Sequence, residues 1–400
     1  MVLDASTSEA KSRRAFKRVF ICAGEKSGDL HAAHLIRATQ KLRPDIRFEG
    51  FGGEHLEAAG CHLHENIIHL SSMGLSFLSN VFAFVGLIRR FYRIIKEDPP
   101  EVLVLVDLPG FNFILARIAK WSDIPVVYYI CPQIWAWAPW RRKKILRLTD
   151  LLMVILPFEE EFYRDPKHRV VYVGHPLADE LAEIAPPDGD QRGALEVQLR
   201  KRLSLDPGQR IVGLFPGSRD QEVHGLLPVF RRTIDHLRLD PATYRLVVSC
   251  CRSEFRSVIE SEFQSCAVPV DILEGEAYSL MATCRLALVA SGTATLELAY
   301  FQKPMVVFYK LSRFSHFLYH KICTSPFVSL VNILGKEEVV PEDVTWRDNS
   351  ADQAERARPL LNDTPERQRC LEKLRNLGQN VFRPGGSERA ARVLSDFLVE

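Results

Sequence analysis

Short apolar runs alternate with amphipathic stretches along most of the chain. In the clearest run, residues 101–112 (EVLVLVDLPGFN), five valine or leucine residues precede an aspartate and a Pro-Gly turn. Such a run is typical of a strand that is buried on both faces of a parallel sheet. The alternation of strand and helix continues to about residue 174, which predicts a doubly wound parallel sheet.

The alternation stops at residues 182–190 (AEIAPPDGD) and then restarts, which predicts a second domain of the same architecture. We therefore expect an α/β protein with two Rossmann-like, doubly wound domains that face each other across a cleft. The expected parts are a disordered basic tail (1–16), a first domain (17–180), a linker (181–200), a second domain (201–350) and C-terminal helices (351–400) that pack back on the first domain.

The composition narrows the classes of function. The hydrophobic and charged fractions, 46% and 26%, are those of a soluble globular protein, and a net charge of +2 argues against nucleic acid as a partner of the whole chain. Nine cysteines without a CxxC pair indicate a reducing cytoplasm and show no zinc pattern. The apolar run behind the basic N-terminal residues is too short for a signal peptide, so a cytoplasmic location is expected.

Residues 67–88 form a stretch without charge, apart from one histidine, that is long enough to span a bilayer. Four serines, two glycines and an asparagine favour a helix that lies in the membrane surface over a spanning helix, and basic residues follow at once. The residues expected to meet the membrane or the acceptor are Met73, Phe77, Phe82, Phe84, Arg89, Arg90 and Arg93.

Residues 132–144 (PQIWAWAPWRRKK) interleave three tryptophans with four consecutive basic residues. Single-stranded nucleic acid is one ligand that binds aromatic rings beside cations. A membrane interface or a phosphorylated lipid is another, and a compact basic cluster in a chain of balanced charge favours it, with Trp135, Trp137 and Arg141 as contacts. A solvated helix face with buried tryptophans is the alternative without a function.

Two glycine-containing loops, residues 23–29 (AGEKSGD) and 215–222 (FPGSRDQE), each join a predicted strand to a predicted helix. Their glycines let the backbone approach a ligand, and the helix starts offer free N–H groups to an anion. In the second loop, Arg219 lies beside Gly217 and Ser218. Its guanidinium could pair bidentately with phosphate or only form a surface ion pair with Glu222.

A third loop, residues 291–297 (SGTATLE), offers Ser291, Gly292 and Thr293 at another predicted strand end. Glu297 could accept hydrogen bonds from two ribose hydroxyls or only favour the helix dipole. Two phosphate-binding loops in one domain favour a nucleoside diphosphate as ligand. The Asp-x-Asp at residues 188–190 resembles a metal-binding motif of some glycosyltransferases, but it lies in the predicted linker, and no metal site is assigned.

Asp107 comes directly after the strand of the clearest apolar run. In open α/β sheets, ligands bind beyond the carboxyl ends of the strands, so a carboxylate at this point is suited to chemistry. A helix cap or a fixed turn explains the aspartate equally well when this residue is considered alone.

These motifs, in this order, resemble those of the lipid-A-disaccharide synthase family, the glycosyltransferases of lipid A assembly in Gram-negative bacteria. The matching motifs are AGEKSGD, GFGG (50–53), MGL (73–75), VDLPGFN, WAW (135–137), LPFE (156–159), GHPL (174–177), PGSR, SGTATLE, FYK and VNIL. The resemblance implies a GT-B fold. It also implies an inverting transfer, without metal or cofactor, of diacylglucosamine from its UDP conjugate to diacylglucosamine 1-phosphate, which forms a β-1,6 bond.

The same resemblance implies site residues and a location. Asp107 matches the family's essential acid, and Arg219, Glu297 and Asn332 match residues of the donor side. An inverting transfer needs a base for the acceptor hydroxyl. Asp107 is the candidate base, with Glu25 and His31 as rivals near the end of the first strand. We expect peripheral attachment to the inner face of the inner membrane, and a homodimer is one alternative for the assembly.

Other functions are compatible with the same fold. A UDP-sugar 2-epimerase and the glycosyltransferase of the peptidoglycan precursor are rivals within the fold, although the latter should carry a GGxGGH-like first loop, which this sequence lacks. A noncatalytic lipid- or nucleotide-binding protein is the rival from another class.

Overall fold

The chain forms two α/β units, and each is built on one parallel sheet. The computed structural model describes residues 16–68, 77–186 and 190–399. The described residues up to Asp179, together with those from Arg383 onwards, form the first unit, and Glu180–Phe382 form the second. The predicted basic tail lies outside the described residues except for Phe16.

The first unit contains a seven-stranded parallel sheet with the strand order β3-β2-β1-β4-β5-β6-β7. Its strands are β1 (Lys17–Ala23), β2 (Ile46–Gly52), β3 (His62–Asn66), β4 (Val102–Val106), β5 (Val126–Tyr129), β6 (Leu151–Val154) and β7 (Arg169–Tyr172). Its described helices are α1 (Lys26–Leu42), α2 (Glu54–Ala58), α3 (Phe77–Glu97), α4 (Pro109–Trp121), α5 (Ile134–Trp137), α6 (Arg142–Leu148), α7 (Pro157–Tyr163) and the last helix of the chain, α18 (Gly386–Phe397). Helix α8 (Leu177–Ile184) contains the boundary between the units.

The second unit contains a six-stranded parallel sheet with the strand order β10-β9-β8-β11-β12-β13. Its strands are β8 (Arg210–Phe215), β9 (Tyr244–Cys250), β10 (Val270–Glu274), β11 (Leu286–Ala290), β12 (Met305–Lys310) and β13 (Glu342–Thr345). Its helices among the described residues are α9 (Gln191–Arg202), α10 (Asp220–Leu237), α11 (Arg256–Phe263), α12 (Ala277–Thr283), α13 (Thr293–Tyr300), α14 (Arg313–Ile322), α15 (Leu330–Gly335), α16 (Ser350–Leu361) and α17 (Pro365–Val381).

The two sheets confirm the predicted α/β fold with two doubly wound halves. Every residue of β4, β6 and β11 is buried, as the continuous apolar runs predict for central strands of a parallel sheet. Strand β1 lies between β2 and β4, and a Cβ atom at Gly50 would come within 1.8 Å of the carbonyl oxygen of Ile21. A residue without a side chain is therefore required where β2 pairs with β1.

The apolar pattern does not predict β3 and β13. Their sequences, HLHEN and EDVT, are polar, and each strand lies at the edge of its sheet. An edge strand is partly exposed, so it needs no continuous apolar run and gives only a weak sequence signal.

The segment predicted as a linker, residues 181–200, is largely helical. It includes the end of α8 and most of α9, while residues 187–189 lie outside the described residues. Helix α9 packs against α12 with Leu199 buried. Two prolines and a glycine mark only the short break between the helices, so the predicted linker is too long.

The C-terminal helices divide between the two units, and only the last one packs on the first unit as the sequence predicts. Helices α16 and α17 pack on α10 and α13 and belong to the second unit, whereas α18 packs on α1 of the first unit. Ala354, Ala357 and Leu361 of α16 and Leu374 of α17 are buried. These apolar faces complete the core of the second unit. The many charged residues of these helices hide this role in the sequence.

The apolar side of helix α3 is part of the core of the first unit. Leu87, Phe91 and Ile95 are buried at a spacing of four residues, which places them on one helix face. The ring of Phe84, predicted to meet the acceptor or the membrane, is partly buried and lies 5.1 Å from the ring of Phe111 in this core. This part of the helix therefore covers the sheet and does not present its apolar face to lipid.

The remaining membrane-facing predictions for this segment fall into two groups. Met73 and the side chains of Phe77 and Phe82 lie outside what the structure describes. The cations are exposed on the outer side of α3, at Arg89, Arg90 and Arg93, and Arg90 pairs with Glu65 at 2.6 Å. Over the described residues, none of the helices is both long enough and apolar enough to cross a membrane.

The carboxylate of Asp179 holds the start of helix α18. It accepts hydrogen bonds from the backbone N–H groups of Gly385 (2.5 Å), Gly386 (3.2 Å) and Ser387 (2.8 Å). We expect Asp179→Ala to lower the free energy of unfolding by about 2–3 kcal/mol, because three helix N–H groups lose their acceptor. Chemical denaturation measures this loss. Asp179→Asn keeps one acceptor oxygen and should cost less, so equal losses in the two variants would contradict the assignment.

Candidate active site

Two of the motif loops meet where the strand order of the first sheet reverses. Strands β1 and β4 are neighbours with Ala23 opposite Val106, so the loops that follow them start at the same edge. A Cβ atom at Gly28 would lie 3.6 Å from Cβ of Asp107, and one at Gly24 would overlap Leu108 at 2.1 Å. Gly24 thus lets this loop lie directly against the turn, whereas a side chain at Gly28 would make only ordinary contact with Asp107. Such a switch point is where ligands bind in open α/β sheets.

Asp107 and Leu108 both have left-handed backbone conformations, with φ of 49° and 41°. A left-handed conformation costs a residue with a side chain about 1–2 kcal/mol, and aspartate tolerates it better than leucine does. The N-cap residue of helix α4 is Leu108 and not Asp107, which argues against a helix cap as the role of the aspartate. Two consecutive residues in this conformation turn the chain sharply between strand and helix.

Buried side chains hold this turn in place. The Asn112 side-chain amide donates to the carbonyl oxygens of Val106 (3.1 Å) and Asp107 (2.7 Å), and the Tyr128 hydroxyl donates to that of Asp107 (2.6 Å). Asn112 and Tyr128 have no solvent exposure. Three hydrogen bonds of about 1 kcal/mol each can offset the strain of the turn. Neither residue was predicted from the sequence, although a tyrosine in an apolar run is a usable signal.

The rival bases occupy different surroundings. Glu25 is the half-buried N-cap residue of α1 and lies in the loop that contacts Asp107. His31 is buried, and burial, with smaller contributions from His175 and His34, lowers its pKa to about 3. A base at His31 would have to become a cation without water, which burial disfavours. Asp107 is only half-buried, so its carboxylate is the more accessible of these two candidate bases.

Asp29, the last residue of AGEKSGD, connects this loop to the GFGG motif. Its buried carboxylate accepts hydrogen bonds from the N–H groups of Gly53 (2.7 Å), His55 (3.0 Å) and Leu56 (3.4 Å) at the start of α2. A Cβ atom at Gly53 would lie 2.7 Å from the same carboxylate. This aspartate therefore fixes two neighbouring motifs to each other.

Glu159 of the LPFE motif anchors the tryptophan-rich segment. This fully buried carboxylate accepts from the Trp135 indole N–H (3.0 Å) and from the N–H groups of Ile155 (3.2 Å) and Leu156 (3.0 Å). Burial raises the pKa of Glu159 to about 7. Trp135, which the sequence analysis assigns to the acceptor or the membrane, thus anchors the loop through its indole N–H.

Beyond this anchor the segment is exposed. Trp137 and Trp140 are 42% and 64% exposed, and the guanidinium of Arg141 lies 4.8 Å from the ring centre of Trp137. Rings and cations that remain in water are available to an amphipathic partner. Of the three residues predicted here, Trp137 and Arg141 have the expected exposure.

The second unit repeats the arrangement of the first. Strands β8 and β11 are neighbours at the reversal of strand order, so the PGSR and SGTATLE loops start at one edge of the sheet. Gly217 has a left-handed φ of 99°, and a Cβ atom there would lie 2.4 Å from Oε2 of Glu222. The close approach of a carboxylate to the loop explains this glycine.

Glu222 already uses two of the donors that the sequence analysis assigns to phosphate. Its carboxylate accepts from the N–H groups of Ser218 (3.2 Å) and Arg219 (3.4 Å) and pairs with the Arg219 guanidinium at 3.1 Å. Arg219 is 77% exposed, so this ion pair contributes only about 0.5 kcal/mol. The arginine can therefore leave its partner for a phosphate at little cost.

The SGTATLE loop exposes small residues to solvent, and its glutamate, Glu297, is less exposed. Gly292 and Thr293 are exposed, and a Cβ atom at Gly292 would meet nothing within 4 Å. The Ser291 hydroxyl donates a hydrogen bond to the carbonyl oxygen of Val328 at 3.4 Å. This opening at the start of α13 leaves room for a ligand.

Glu297 belongs to a cluster of two acids and a tyrosine. The Tyr278 hydroxyl donates to the Glu180 carboxylate at 2.9 Å. Burial and then the charge of Glu180 raise the pKa of Glu297 to about 7, although a hydrogen bond from Tyr278 acts in the opposite direction. A carboxyl that titrates near neutrality can accept or release a proton when a ligand arrives. Glu180 and Tyr278 gave no sequence signal because they are remote from the loop in the chain.

Asn332 is not positioned to contact the nucleotide-linked donor substrate. It is fully buried, its Oδ1 accepts from the N–H groups of Val339 (2.8 Å) and Val340 (3.0 Å), and its Nδ2 donates to the carbonyl oxygen of Val340 (2.9 Å). Its amide therefore organises the loop after α15. The described residues contain no group of three or more His, Cys, Asp and Glu side chains that could hold a metal ion, and only Asp190 of the Asp-x-Asp motif is described.

Comparison with known proteins identifies the family. The family described as lipid-A-disaccharide synthetase matches residues 19–389. The chain belongs to this family. It is 34% identical over 386 residues to the lipid-A-disaccharide synthase of Geobacter metallireducens, with 96% of this chain and 97% of the relative covered. It is 32% identical over 387 residues to that of Coxiella burnetii strain CbuG_Q212, with coverage of 96% and 99%.

Solved structures show the GT-B fold that the family resemblance implied. The S. aureus MnaA–UDP structure has a TM-score of 0.64 at 12% identity, and it covers 96% of this chain and 97% of that chain. Acinetobacter baumannii MurG has a TM-score of 0.57 at 11% identity, with coverage of 95% and 99%. At such identities the likeness concerns the fold alone, so the family match decides between the synthase and its rivals within the fold.

The hydroxyl of Tyr128 gives a test of how the Asp107 turn is held. We expect Tyr128→Phe to lower kcat about tenfold and the free energy of unfolding by about 1 kcal/mol, because the Asp107 carbonyl loses one of its donors. KM should change little, since no substrate contact is removed. Tyr129→Phe, on the next residue, is the matched control and should keep kcat. A Tyr128→Phe enzyme with normal kcat would show that the hydroxyl does not position the turn.

The pKa of Glu297 predicts how nucleotide affinity depends on pH. The carboxyl is protonated below about pH 7 and ionised above it, and the ionised form is the better acceptor for hydroxyl donors. We expect UDP to bind about tenfold more weakly at pH 6 than at pH 8. Calorimetry at several pH values measures this difference. Glu297→Gln should bind UDP weakly at both pH values. If its UDP affinity still changed about tenfold between pH 6 and pH 8, another group would be responsible for the titration.

Proposed function

We propose that the chain transfers a diacylglucosamine unit from its UDP conjugate to the hydroxyl of diacylglucosamine 1-phosphate, with inversion and formation of a β-1,6 bond. The observation that carries this proposal is the pairing of motif loops at the strand-order reversal of each sheet. In the first unit that position holds an acid on a turn fixed by three hydrogen bonds. In the second it holds loops suited to a nucleoside diphosphate.

Asp107 acts as the general base in this proposal. Its carboxylate takes the proton from the acceptor hydroxyl while the hydroxyl oxygen attacks the anomeric carbon and UDP leaves from the opposite face. A buried His31 is a poor proton acceptor, and Glu25 is the nearer rival because its loop contacts Asp107. Orientation matters here as much as basicity, because the base must reach one hydroxyl of the sugar.

The donor side needs groups that meet the charge of the leaving diphosphate. Arg219 and the N–H groups at the start of α13 in the SGTATLE loop supply them, and Glu297 accepts hydrogen bonds from the ribose hydroxyls. We propose that this chemistry requires no metal ion or other cofactor. Activity that is unchanged in EDTA and not increased by Mg²⁺ supports this part of the proposal.

Both proposed substrates carry acyl chains, so the enzyme has to work at a lipid surface. Trp137, Trp140 and Arg141 on one segment, and the exposed cations on α3, are the groups of the first unit that suit such contact. We infer that this unit binds peripherally to the inner face of the inner membrane from the cytoplasm. Exposed rings and cations together favour an anionic bilayer surface.

Release of UDP in the presence of both acylated sugars tests the proposed function. Wild-type protein should release UDP and form the disaccharide, whereas Asp107→Asn should lose activity by about a thousandfold, because the base is removed while its shape is kept. Thermal unfolding shows whether the variant is folded.

Two further variants separate the roles. His31→Gln should retain far more activity than Asp107→Asn, and Arg219→Ala should weaken UDP binding. UDP binding without any UDP release from supplied substrates would instead favour a noncatalytic nucleotide-binding protein. Hydrolysis or epimerisation of the UDP-sugar without an acceptor would favour one of the rival enzymes.

A further inference from the structure

Helix α14 of the second unit exposes an unusual set of large apolar side chains. Phe314, Phe317 and Leu318 are 74%, 62% and 42% exposed. Their spacing of three and four residues places them on one face of the helix. Tyr319, on the opposite side, is half-buried with its ring 6.4 Å from that of Tyr309, so the helix is attached to its unit by the other face.

Cations border this apolar face. Arg313 and Lys321 are exposed on α14, and the Lys321 ammonium lies 5.5 Å from the ring centre of Phe317. Trp346 is contacted by two guanidinium groups, those of Arg313 (4.5 Å) and Arg347 (4.6 Å). These cations are thus held beside aromatic rings at the protein surface.

An open cleft lies between the helix and the loop that carries Trp346. Its volume is about 410 Å³, and Arg313, His316, Phe317, Lys321 and Trp346 line it. The cleft therefore has positive charge at its rim and aromatic surface in its wall. A phosphate group that is attached to an apolar tail combines both properties.

The charge of the surrounding chain points to an anionic partner. No aspartate or glutamate occurs from residue 298 to residue 336, while lysine or arginine occurs at five positions in that stretch. Glu337 and Glu338, which follow, pair with Lys373 and Arg356. The acids that flank Trp346 also have partners: Glu342 accepts from two backbone N–H groups, Asp343 accepts from Asn349, and Asp348 pairs with Arg232. A second copy of the chain docked through the same face would bring like charges together, so the face suits an anionic lipid surface better than self-association.

We propose that helix α14 is a second lipid-binding surface, on which Phe314, Phe317 and Leu318 enter the bilayer and an anionic phospholipid headgroup occupies the cleft beside Trp346. The WAW segment and helix α3 belong to the first unit, whereas α14 and Trp346 belong to the second. The proposal does not require transferase activity, so it can be tested with lipid alone. Its failure and the failure of the proposed function are therefore separate results.

Hydroxyl-radical footprinting on the full chain gives a readout for the individual side chains. We expect oxidation of Phe314 and Phe317 to fall when vesicles of phosphatidylcholine and phosphatidylglycerol are added, because lipid excludes water from both rings. Vesicles of phosphatidylcholine alone should protect them far less. Equal oxidation with and without anionic vesicles would overturn the proposal, and equal protection by both vesicle types would overturn its electrostatic part.

Vesicle sedimentation measures how much the surface contributes to binding. The variant Phe314→Ser/Phe317→Ser/Leu318→Ser should partition into anionic vesicles at least about tenfold more weakly than wild type. Arg313→Glu/Lys321→Glu should also bind more weakly and lose part of the salt dependence. Val197→Ser is the matched control, because Val197 is 67% exposed on α9 of the same unit and should leave the partition unchanged.

Two controls keep the result interpretable. Thermal unfolding of each variant shows whether the fold is intact, which five exposed positions should not alter. Sedimentation equilibrium without lipid tests the alternative occupant. If Phe314 and Phe317 became protected only as protein concentration rose, and the serine variant shifted a dimer to a monomer, the face would be a contact between copies and the proposal would be overturned.

Discussion

The left-handed turn at Asp107 and Leu108 is the constraint on which the site of the first unit depends. A fully buried strand runs into two residues whose conformations disfavour side chains, and the turn persists because Asn112 and Tyr128 bind the carbonyl groups around it. Gly24 of the neighbouring loop then allows close approach to the same turn. The turn that carries the carboxylate is therefore held by buried side chains.

Carboxylates hold the surrounding loops by one repeated device. Asp29, Glu159 and Asp179 in the first unit, and Glu222 and Glu342 in the second, each accept hydrogen bonds from two or three backbone N–H groups of a loop or helix start. Such groups would otherwise lack partners at a helix end. Several motif acids are thus explained by loop architecture, whereas Asp107, its rival Glu25 and Glu297 have no such role among the described hydrogen bonds.

The sequence predicted the loops of the candidate site better than the contacts of their side chains. The loops after β1, β4, β8 and β11 were found because glycine, proline and small polar residues interrupt apolar runs. Asn332 shows the limit of a motif match, since its amide is used within its own loop. Glu180, which shifts the pKa of Glu297, could not be found because its approach to α13 depends on the packing of distant segments.

By itself, the sequence determined the two doubly wound sheets, the motif loops at their strand ends and the family. Apolar runs and turn residues act over a few positions, so they can be read without coordinates. Only the tertiary structure decided that Phe84 packs in the core, that Trp135 anchors its loop, that residues 181–200 are largely helical and that α18 alone among the last helices joins the first unit. Each of these depends on which distant surface buries a side chain, and burial between remote segments leaves no local pattern.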